Sequence, residues 1–158
     1  MRILNSVCKV LADNYPNTPV YIEQVPQDFV RPSFLVAFTT QGREIKNYRI
    51  YQKNPIIQIV YFGVRDEANQ VEAEGLYAAD DKLDELFLLP LALPIIPRVG
   101  VTEKQRYAKI TAFTSEVRLD EGAIYARLTL SFTEDIPHVE PTDKMEYVEL
   151  VTETTQGG

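Results

Sequence analysis

Residues 107–133 read YAKITAFTSEVRLDEGAIYARLTLSFT and contain two long β-forming stretches separated by a glycine turn. In the second stretch, apolar and polar side chains alternate over residues 126–132, as in a strand with one buried face. Asp120-Glu121-Gly122 forms a short turn, because glycine accepts a positive φ. The sequence therefore predicts a long antiparallel hairpin with strands at 107–119 and 123–133.

The first of these predicted strands changes phase along its length. Its apolar residues fall on even numbers at Ala108 and Ala112 and on odd numbers at Val117 and Leu119. One extra residue, a β-bulge, brings both halves onto one buried face. We expect this bulge near residues 114–115.

Outside the hairpin, two segments have the apolar spacing of amphipathic helices. Residues 2–14 carry apolar side chains at i, i+3, i+4, i+7 and i+8, and residues 66–89 carry a similar stripe. Prolines follow both segments, at Pro16 and Pro90, and end the predicted helices.

The segment between the helices is predicted to hold four strands, at residues 20–23, 33–40, 44–52 and 56–62. Gln41-Gly42 is interpreted as a turn and Asn54-Pro55 as a further break. The last strand, IIQIVYF, is apolar at nearly every position, which predicts a central strand covered on both faces.

The order of elements, α-β-β-β-β-α-β-β, predicts an α+β fold. We expect a mostly antiparallel sheet with two helices packed on one face, a long C-terminal hairpin and an extended acidic C-terminal arm. Residues 1–133 form the predicted domain and residues 134–158 the arm, with at most one strand in the arm at residues 145–151.

Composition excludes several classes of protein. The chain has 158 residues, the size of one domain, and 23 acidic against 16 basic residues give a net charge of −7. Such a charge opposes binding of nucleic acid over the whole surface. The longest apolar run, residues 86–96, is too short to span a membrane, and we expect no secretory signal in the first residues. A single cysteine leaves no disulfide framework.

Charge is distributed unevenly along the sequence. Residues 66–85 hold eight acidic residues and one basic, residues 134–158 hold seven and one, and the rest of the chain is net basic. A basic run within it is interleaved with tyrosines: Arg43, Lys46, Tyr48, Arg49, Tyr51 and Lys53. Nucleic-acid binding by phosphate neutralisation and stacking is one interpretation. An exposed or interface strand is the favoured one.

Few residues qualify for catalysis or metal binding. His138, the one histidine, lies in the acidic arm and is interpreted as a solvated loop residue. Cys8, on the apolar side of the first helix, is interpreted as a small buried hydrophobe. The densest carboxylate cluster is Asp80, Asp81, Asp84 and Glu85. Metal binding or acid–base chemistry would need such groups, but a solvated helix face is the favoured explanation. No cofactor is predicted, because no glycine-rich phosphate loop occurs.

An ordered set of features resembles a known family. Tyr15-Pro16 ends the first helix, PVYIEQVPQDFVRPSFLV follows at residues 19–36, IVYF precedes a helix containing Leu76-Tyr77, and the hairpin turns at DEG. In this order the features resemble the phage tail terminator, or tail completion, family of phages and prophages of Gram-positive bacteria, over about residues 1–133. Gly63 stands where such sequences often have proline, and neither the proline-rich connector nor the arm has a counterpart in the resemblance.

The resemblance implies a virion structural protein and no enzyme, catalytic residue, cofactor or metal. It implies a ring, expected to be a hexamer, that caps the head-proximal end of the tail tube and stops tube polymerisation. The implied partners are further copies of the chain, the tube protein, the head-completion (neck) protein and the tail sheath protein. DNA only passes through the lumen, no membrane is involved, and assembly takes place in the host cytoplasm before the protein reaches the tail–neck junction.

Interface residues are expected in exposed strands, connections and the arm. The candidates are Gln27, Phe29, Arg31, Arg43, Lys46, Arg49, Lys53, Glu140, Asp143 and Glu146. Two alternatives stay open at this point. One is a head–tail connector or another minor tail protein; the other, more distant, is a small metal-binding protein or enzyme that uses residues 80–85.

Overall fold

The computed structural model describes residues 1–137, which form two helices and six strands. They are α1 (Arg2–Asn14), β1 (Val20–Ile22), β2 (Ser33–Ile45), β3 (Ile50–Phe62), α2 (Ala73–Phe87), β4 (Ala92–Ile95), β5 (Arg106–Arg118) and β6 (Ala123–Asp135). The strands make one sheet in the order β1-β2-β3-β6-β5-β4, antiparallel except for the parallel β1–β2 pair. The predicted α+β class is confirmed.

One face of the sheet and both helices share a single buried core. Alternate residues of β6 point into it, including the fully buried Leu128 and Leu130. α1 contributes Leu4 and Leu11, which are likewise fully buried. Each such side chain stabilises the fold by roughly 1.5–3 kcal/mol. The periodicity of α1 fixes this arrangement, since its apolar stripe has no other surface to bury against.

The β2–β3 hairpin differs from the prediction at two places. The turn predicted at Gln41-Gly42 and the break predicted at Asn54-Pro55 are both wrong, because continuous strands run through them. The turn lies at residues 46–49, where the Asn47 Oδ1 accepts hydrogen bonds from the N–H groups of Arg49 and Ile50. An asparagine side chain that bonds its own backbone in this way mimics a turn.

Proline is tolerated inside β3 because the pairing of β3 with β6 is interrupted there. Lys53 pairs with Phe132 and Ile56 with Thr129, and the two residues between, Asn54 and Pro55, have no partner on β6. The missing proline N–H therefore costs no hydrogen bond on that side. β3 is central in the sheet, as predicted, but the expectation that both its faces are covered is wrong, since Ile56 and Gln58 are only half-buried.

The bulge in β5 exists but lies earlier than predicted. The register with β6 shifts between Ile110 and Ala112, which makes Thr111 the extra residue. Ala112 is exposed, so Ile110 is the last even-numbered residue of β5 whose side chain faces the core. From Phe113 onward the odd-numbered side chains of β5 face the core. The Phe113 ring packs with its centroid 6.0 Å from that of Phe87.

Other elements also differ from the prediction. α2 begins at Ala73 instead of residue 66, because residues 66–72 form a loop in which Asn69 has a φ of 62°. β4 is an additional edge strand within the proline-rich connector, and Pro94 is allowed there because edge strands tolerate a missing N–H. β6 continues to Asp135, past the predicted end at 133. The predicted strand at 145–151 lies outside the described residues.

The turn between β5 and β6 requires glycine, which gives a test of the local geometry. Gly122 has a φ of 65°, and a Cβ there would overlap with Cγ2 of Val71. We expect Gly122→Ala to destabilise the protein by at least about 2 kcal/mol, from left-handed strain and the overlap. Urea denaturation measures the loss.

Gly75 is the matched control. It lies in the first turn of α2, and the nearest atom to an added Cβ is the Glu72 carboxylate at 3.9 Å. Gly75→Ala should stabilise the protein by roughly 0.5–1 kcal/mol, because alanine favours the helix. Equal effects of the two alanines would contradict the conformation assigned to Gly122.

Candidate functional site

The β2–β3 hairpin presents an open strand edge. β1 pairs with β2 only over residues 34–36, and the Phe38 N–H donates to the Glu23 carboxylate at 3.4 Å, so in residues 1–137 the outer edge of β2 is open from residue 39 to residue 45. Every residue of β2 from 39 to 45 is exposed. Such an edge offers backbone N–H and C=O groups to a strand from another molecule.

Four bases on this hairpin, Arg43, Lys46, Arg49 and Lys53, form what we call the basic hairpin. Arg43 and Lys53 are direct cross-strand partners, a placement in which like charges repel. Lys46 pairs with Glu44 at 3.0 Å. No carboxylate of the described residues lies within salt-bridge distance of the other three bases. The basic hairpin thus carries uncompensated positive charge.

Two tyrosines hold the side chains of two of these bases. The Arg49 guanidinium lies 5.2 Å from the centroid of the Tyr48 ring, and the Lys53 Nζ lies 5.8 Å from that of Tyr51. These cation–π contacts orient the bases without neutralising them. Both bases therefore remain available to an anionic partner.

A cleft of about 290 Å³ lies between the basic hairpin and the start of α1. Arg2, Lys53 and Glu134 line it. Arg2 pairs with Glu103 at 2.8 Å and with Glu134 at 3.6 Å, and Arg106 pairs with Glu134 at 3.2 Å. Arg2 and Glu134 are therefore matched within the fold, whereas Lys53 keeps an unpaired charge at the rim of the cleft among the described residues.

The predicted residues at 24–32 do not join the basic hairpin. Ser33 aligns with Phe62 and Ala123 at one end of the sheet, whereas Ile45 and the hairpin turn lie at the other. Gln27 is exposed at the first end. The structure thus separates the two predicted groups by the length of the sheet.

Arg31 makes contacts inside the fold that its sequence context did not indicate. Its guanidinium lies 5.6 Å and 5.5 Å from the ring centroids of Phe29 and Phe62. It donates hydrogen bonds to the carbonyl oxygens of Gly63 and Gly122, at 3.2 Å and 3.3 Å. Burial lowers the pKa of this guanidinium. Arg31 therefore links the β1–β2 connection, in which it lies, to the end of β3 and to the β5–β6 turn.

A second open edge lies on β5. β4 pairs with β5 only at residues 106–109, and the Leu91 carbonyl accepts one more hydrogen bond from the Ile110 N–H at 2.8 Å. Beyond it, residues 112–118 have no strand on their outer side in the described part of the chain. Sequence patterns did not indicate this edge, because it depends on where β4 stops pairing with β5.

Exposed leucines adjoin the β5 edge. Leu88, Leu89 and Leu91 are 41%, 67% and 70% exposed, and Leu91 has a φ of 64°. A leucine held in the left-handed region with its side chain in water is unusual. The run Leu88-Leu89-Pro90-Leu91 was visible in the sequence, but an apolar run alone does not show whether it is buried.

The acidic cluster on α2 has no cationic partner in the described structure. The Asp80 Oδ1 is buried without a hydrogen bond. Burial, followed by the charges of Asp80 and Asp81, raises the pKa of Asp84. Residues 1–137 bring together no three His, Cys, Asp or Glu side chains that could hold a metal ion.

Several predicted residues lie outside the described part of the chain: His138, Glu140, Asp143 and Glu146. Their roles stay predictions. Neither described helix is long and apolar enough to cross a membrane.

The chain matches one protein family, described as phage tail terminator protein, over residues 2–141. A family of this kind supplies structural components of the phage tail, and the chain is therefore a virion structural protein. Because the match covers most of its length, the chain belongs to the phage tail terminator family. No curated protein matches it. The predicted membership of the phage tail terminator family is confirmed.

Cys8 is half-buried on α1, and burial raises the pKa of its thiol to about 11. We expect iodoacetamide at pH 8 to alkylate the native thiol about 100-fold more slowly than the thiol of the urea-unfolded chain, because each pKa unit lowers the thiolate fraction tenfold. The native rate should rise with pH up to about 11. Similar rates in the two states would contradict the burial of Cys8.

The cross-strand repulsion in the basic hairpin also has a measurable effect. Arg43→Gln removes one of the two like charges, and Arg43 has no carboxylate partner to lose in residues 1–137. We expect it to stabilise the isolated protein by about 0.2–1 kcal/mol in urea denaturation at low salt. The gain should shrink as salt screens the charges.

Lys46→Gln is the control for that variant. It removes a base that is paired with Glu44. We expect no gain, and a loss of at most about 1 kcal/mol. If both glutamine variants lower stability equally, Arg43 and Lys53 do not repel each other.

Proposed function

We propose that the protein forms a ring, expected to be a hexamer, that caps the head-proximal end of the phage tail tube. The family match over residues 2–141 carries this proposal. The ring stops tube polymerisation and joins the tail to the head-completion (neck) protein, with the tail sheath protein as a further partner. It works at the tail–neck junction of a phage or prophage of a Gram-positive host, and DNA passes only through its lumen.

The ring would stop tube polymerisation because each subunit has different surfaces on its different sides. A ring closes through heterologous contacts, in which one surface of each copy meets a different surface of the next. The described domain offers two such surfaces, the open edges of β2 and β5. One ring face then matches the last tube ring, and the other offers tube subunits nothing to bind.

The two ends of the sheet suit these two faces. Gln27 and the connection around Phe29 lie at one end, and the basic hairpin lies at the other. Contacts at opposite ends allow one subunit to bind two partners at once. We therefore place the tube protein and the neck protein at opposite ends of the sheet, with Glu140, Asp143 and Glu146 as further predicted contacts.

The test is tail length in a phage that lacks the gene. We expect tails of uncontrolled length without attached heads in electron micrographs, and recovery of normal tails when the full chain is supplied in trans. Gly75→Ala serves as a folded control that should also restore them. Tails of normal length that fail only to join heads would identify a connector instead, and normal virions would contradict a tail function.

A further inference from the structure

We propose that residues 138–158 of one copy add an antiparallel strand to the open edge of β2 in the next copy, with their carboxylates against its basic hairpin. The proposal rests on the proposed ring and names the contact that joins neighbouring copies. Residues 138–158 lie outside the described part of the chain. The surface that would receive them, residues 39–45 of β2, is described and open.

The open edge of β2 offers backbone hydrogen-bond groups that have no partner among the described residues. Lys46 donates its N–H to the Ile50 carbonyl across the hairpin, at 3.1 Å. Because successive residues of an antiparallel strand bond to alternate sides, the N–H groups of Gln41, Arg43 and Ile45 point away from β3. A strand added at this edge would pair with all three.

Residues 138–158 carry the charge opposite to that of the basic hairpin. One of them is basic and five are acidic: Glu140, Asp143, Glu146, Glu149 and Glu153. On the hairpin, Arg43 and Lys53 are cross-strand partners with no carboxylate of the described residues within salt-bridge distance. Carboxylates from a neighbouring copy would relieve the repulsion between these two bases.

The acidic segment begins at the level of the open edge. β6 ends near the hairpin turn, since Asp135 aligns with Ile50 at the start of β3. β2 runs toward the same end of the sheet, and the copies of a ring share one orientation. A segment that leaves β6 and turns back along the sheet is therefore antiparallel to β2 of the next copy and lies level with its residues 39–45.

Without an added strand, the sheets of neighbouring copies pair poorly at this level. The opposite margin of the sheet is β4 here, because Ile95 aligns with Arg106 at the start of β5. β4 and β2 run in the same direction, so a direct contact would be parallel. Pro94 faces away from β5, since the Leu91 carbonyl faces toward it, and Pro94 offers no N–H. An intervening strand of the opposite direction makes both contacts antiparallel.

The acidic segment is long enough for this path. From β6 it would pass β5 and β4 and take the next position, about 14 Å away at roughly 4.8 Å per strand. About five extended residues cover that distance at roughly 3.3 Å each. The strand predicted at residues 145–151 then remains for pairing, and it matches residues 39–45 in length. Its apolar residues would meet Ile45 and Tyr48, which are 77% and 74% exposed.

Charge exchange tests which copy the segment binds. A hairpin variant carries Arg43→Glu and Arg49→Glu, and a segment variant carries Glu146→Lys and Glu149→Lys, each in the full chain. Either variant alone should stay monomeric in light scattering at concentrations where the wild-type chain is multimeric, because like charges then face each other. An equimolar mixture should recover the multimer, because each contact again joins opposite charges.

Glu67→Lys combined with Glu74→Lys is the matched control. Both glutamates are exposed and lie outside the basic hairpin, and the change in net charge equals that of the segment variant. The control should assemble like the wild type, and circular dichroism checks that each variant is folded. Assembly of either charge variant alone, or loss of assembly in the control, overturns the proposal. A mixture that stays monomeric also overturns it, because a segment bound to β2 of its own chain cannot be rescued by another copy.

Hydrogen exchange tests the strand pairing itself. In the wild-type chain, the N–H groups of Gln41, Arg43 and Ile45 should exchange more slowly in the multimer than in the dilute monomer, by about tenfold or more. The N–H of Glu44, which faces β3, is the internal control and should change little. Equal exchange in the two states, or protection already present in the monomer, contradicts pairing between copies.

These outcomes are separate from those that test the proposed function. If the charge variants or the exchange rates overturn the strand contact, the tail length of the phage that lacks the gene still decides whether the protein caps the tube. If the contact holds and that phage makes tails of normal length, the copies assemble as proposed but do not terminate tails.

Discussion

The packing of α1 into one face of the sheet is the constraint on which the rest of the structure depends. α1 contacts β2, near one edge of the sheet, and β4, at the other, so the sheet curls around it. Ser6 links α1 to the residue that follows β4, since its hydroxyl donates a hydrogen bond to the Arg2 carbonyl and accepts one from the Ile96 N–H. Without α1, the apolar face of the sheet would have only α2 to bury against.

A sheet that is covered on one face only leaves its other face and its edges open. In most small domains such edges are shortened or blocked to prevent association. Here β1 and β4 block half of each edge and leave the rest. The fold thus leaves two defined strand segments open to association.

Sequence periodicity predicted the elements that bury a regular stripe. The bounds of α1 follow from its apolar spacing, and β6 follows from its alternation, because burial imposes both patterns. Local turn signals were less reliable. Gly42 and Pro55 looked like breaks, but the turn was set by the side chain of Asn47, and a lapse in the neighbouring ladder accommodates Pro55.

The candidate site was predictable only in part. The exposure of the basic hairpin could be inferred from its charges, since bases are seldom buried unpaired. The contacts of Arg31 depend on carbonyl groups that are distant in sequence, and the β5 edge depends on where β4 stops. Neither is encoded in a local pattern, so only the folded chain reveals them.

Glu134 has a consequence for how the domain bears mechanical load. It lies near the end of β6, where the chain leaves the domain, and it holds both Arg2 of α1 and Arg106 of β5. β6 is bonded to a strand on each side, so tension applied along it from the C-terminal end loads two ladders in shear at once instead of unzipping them bond by bond. Arg2 passes part of that tension to the first helix, and Arg106 passes part of it to β5. The end of β6 is therefore a mechanically reinforced point of the domain.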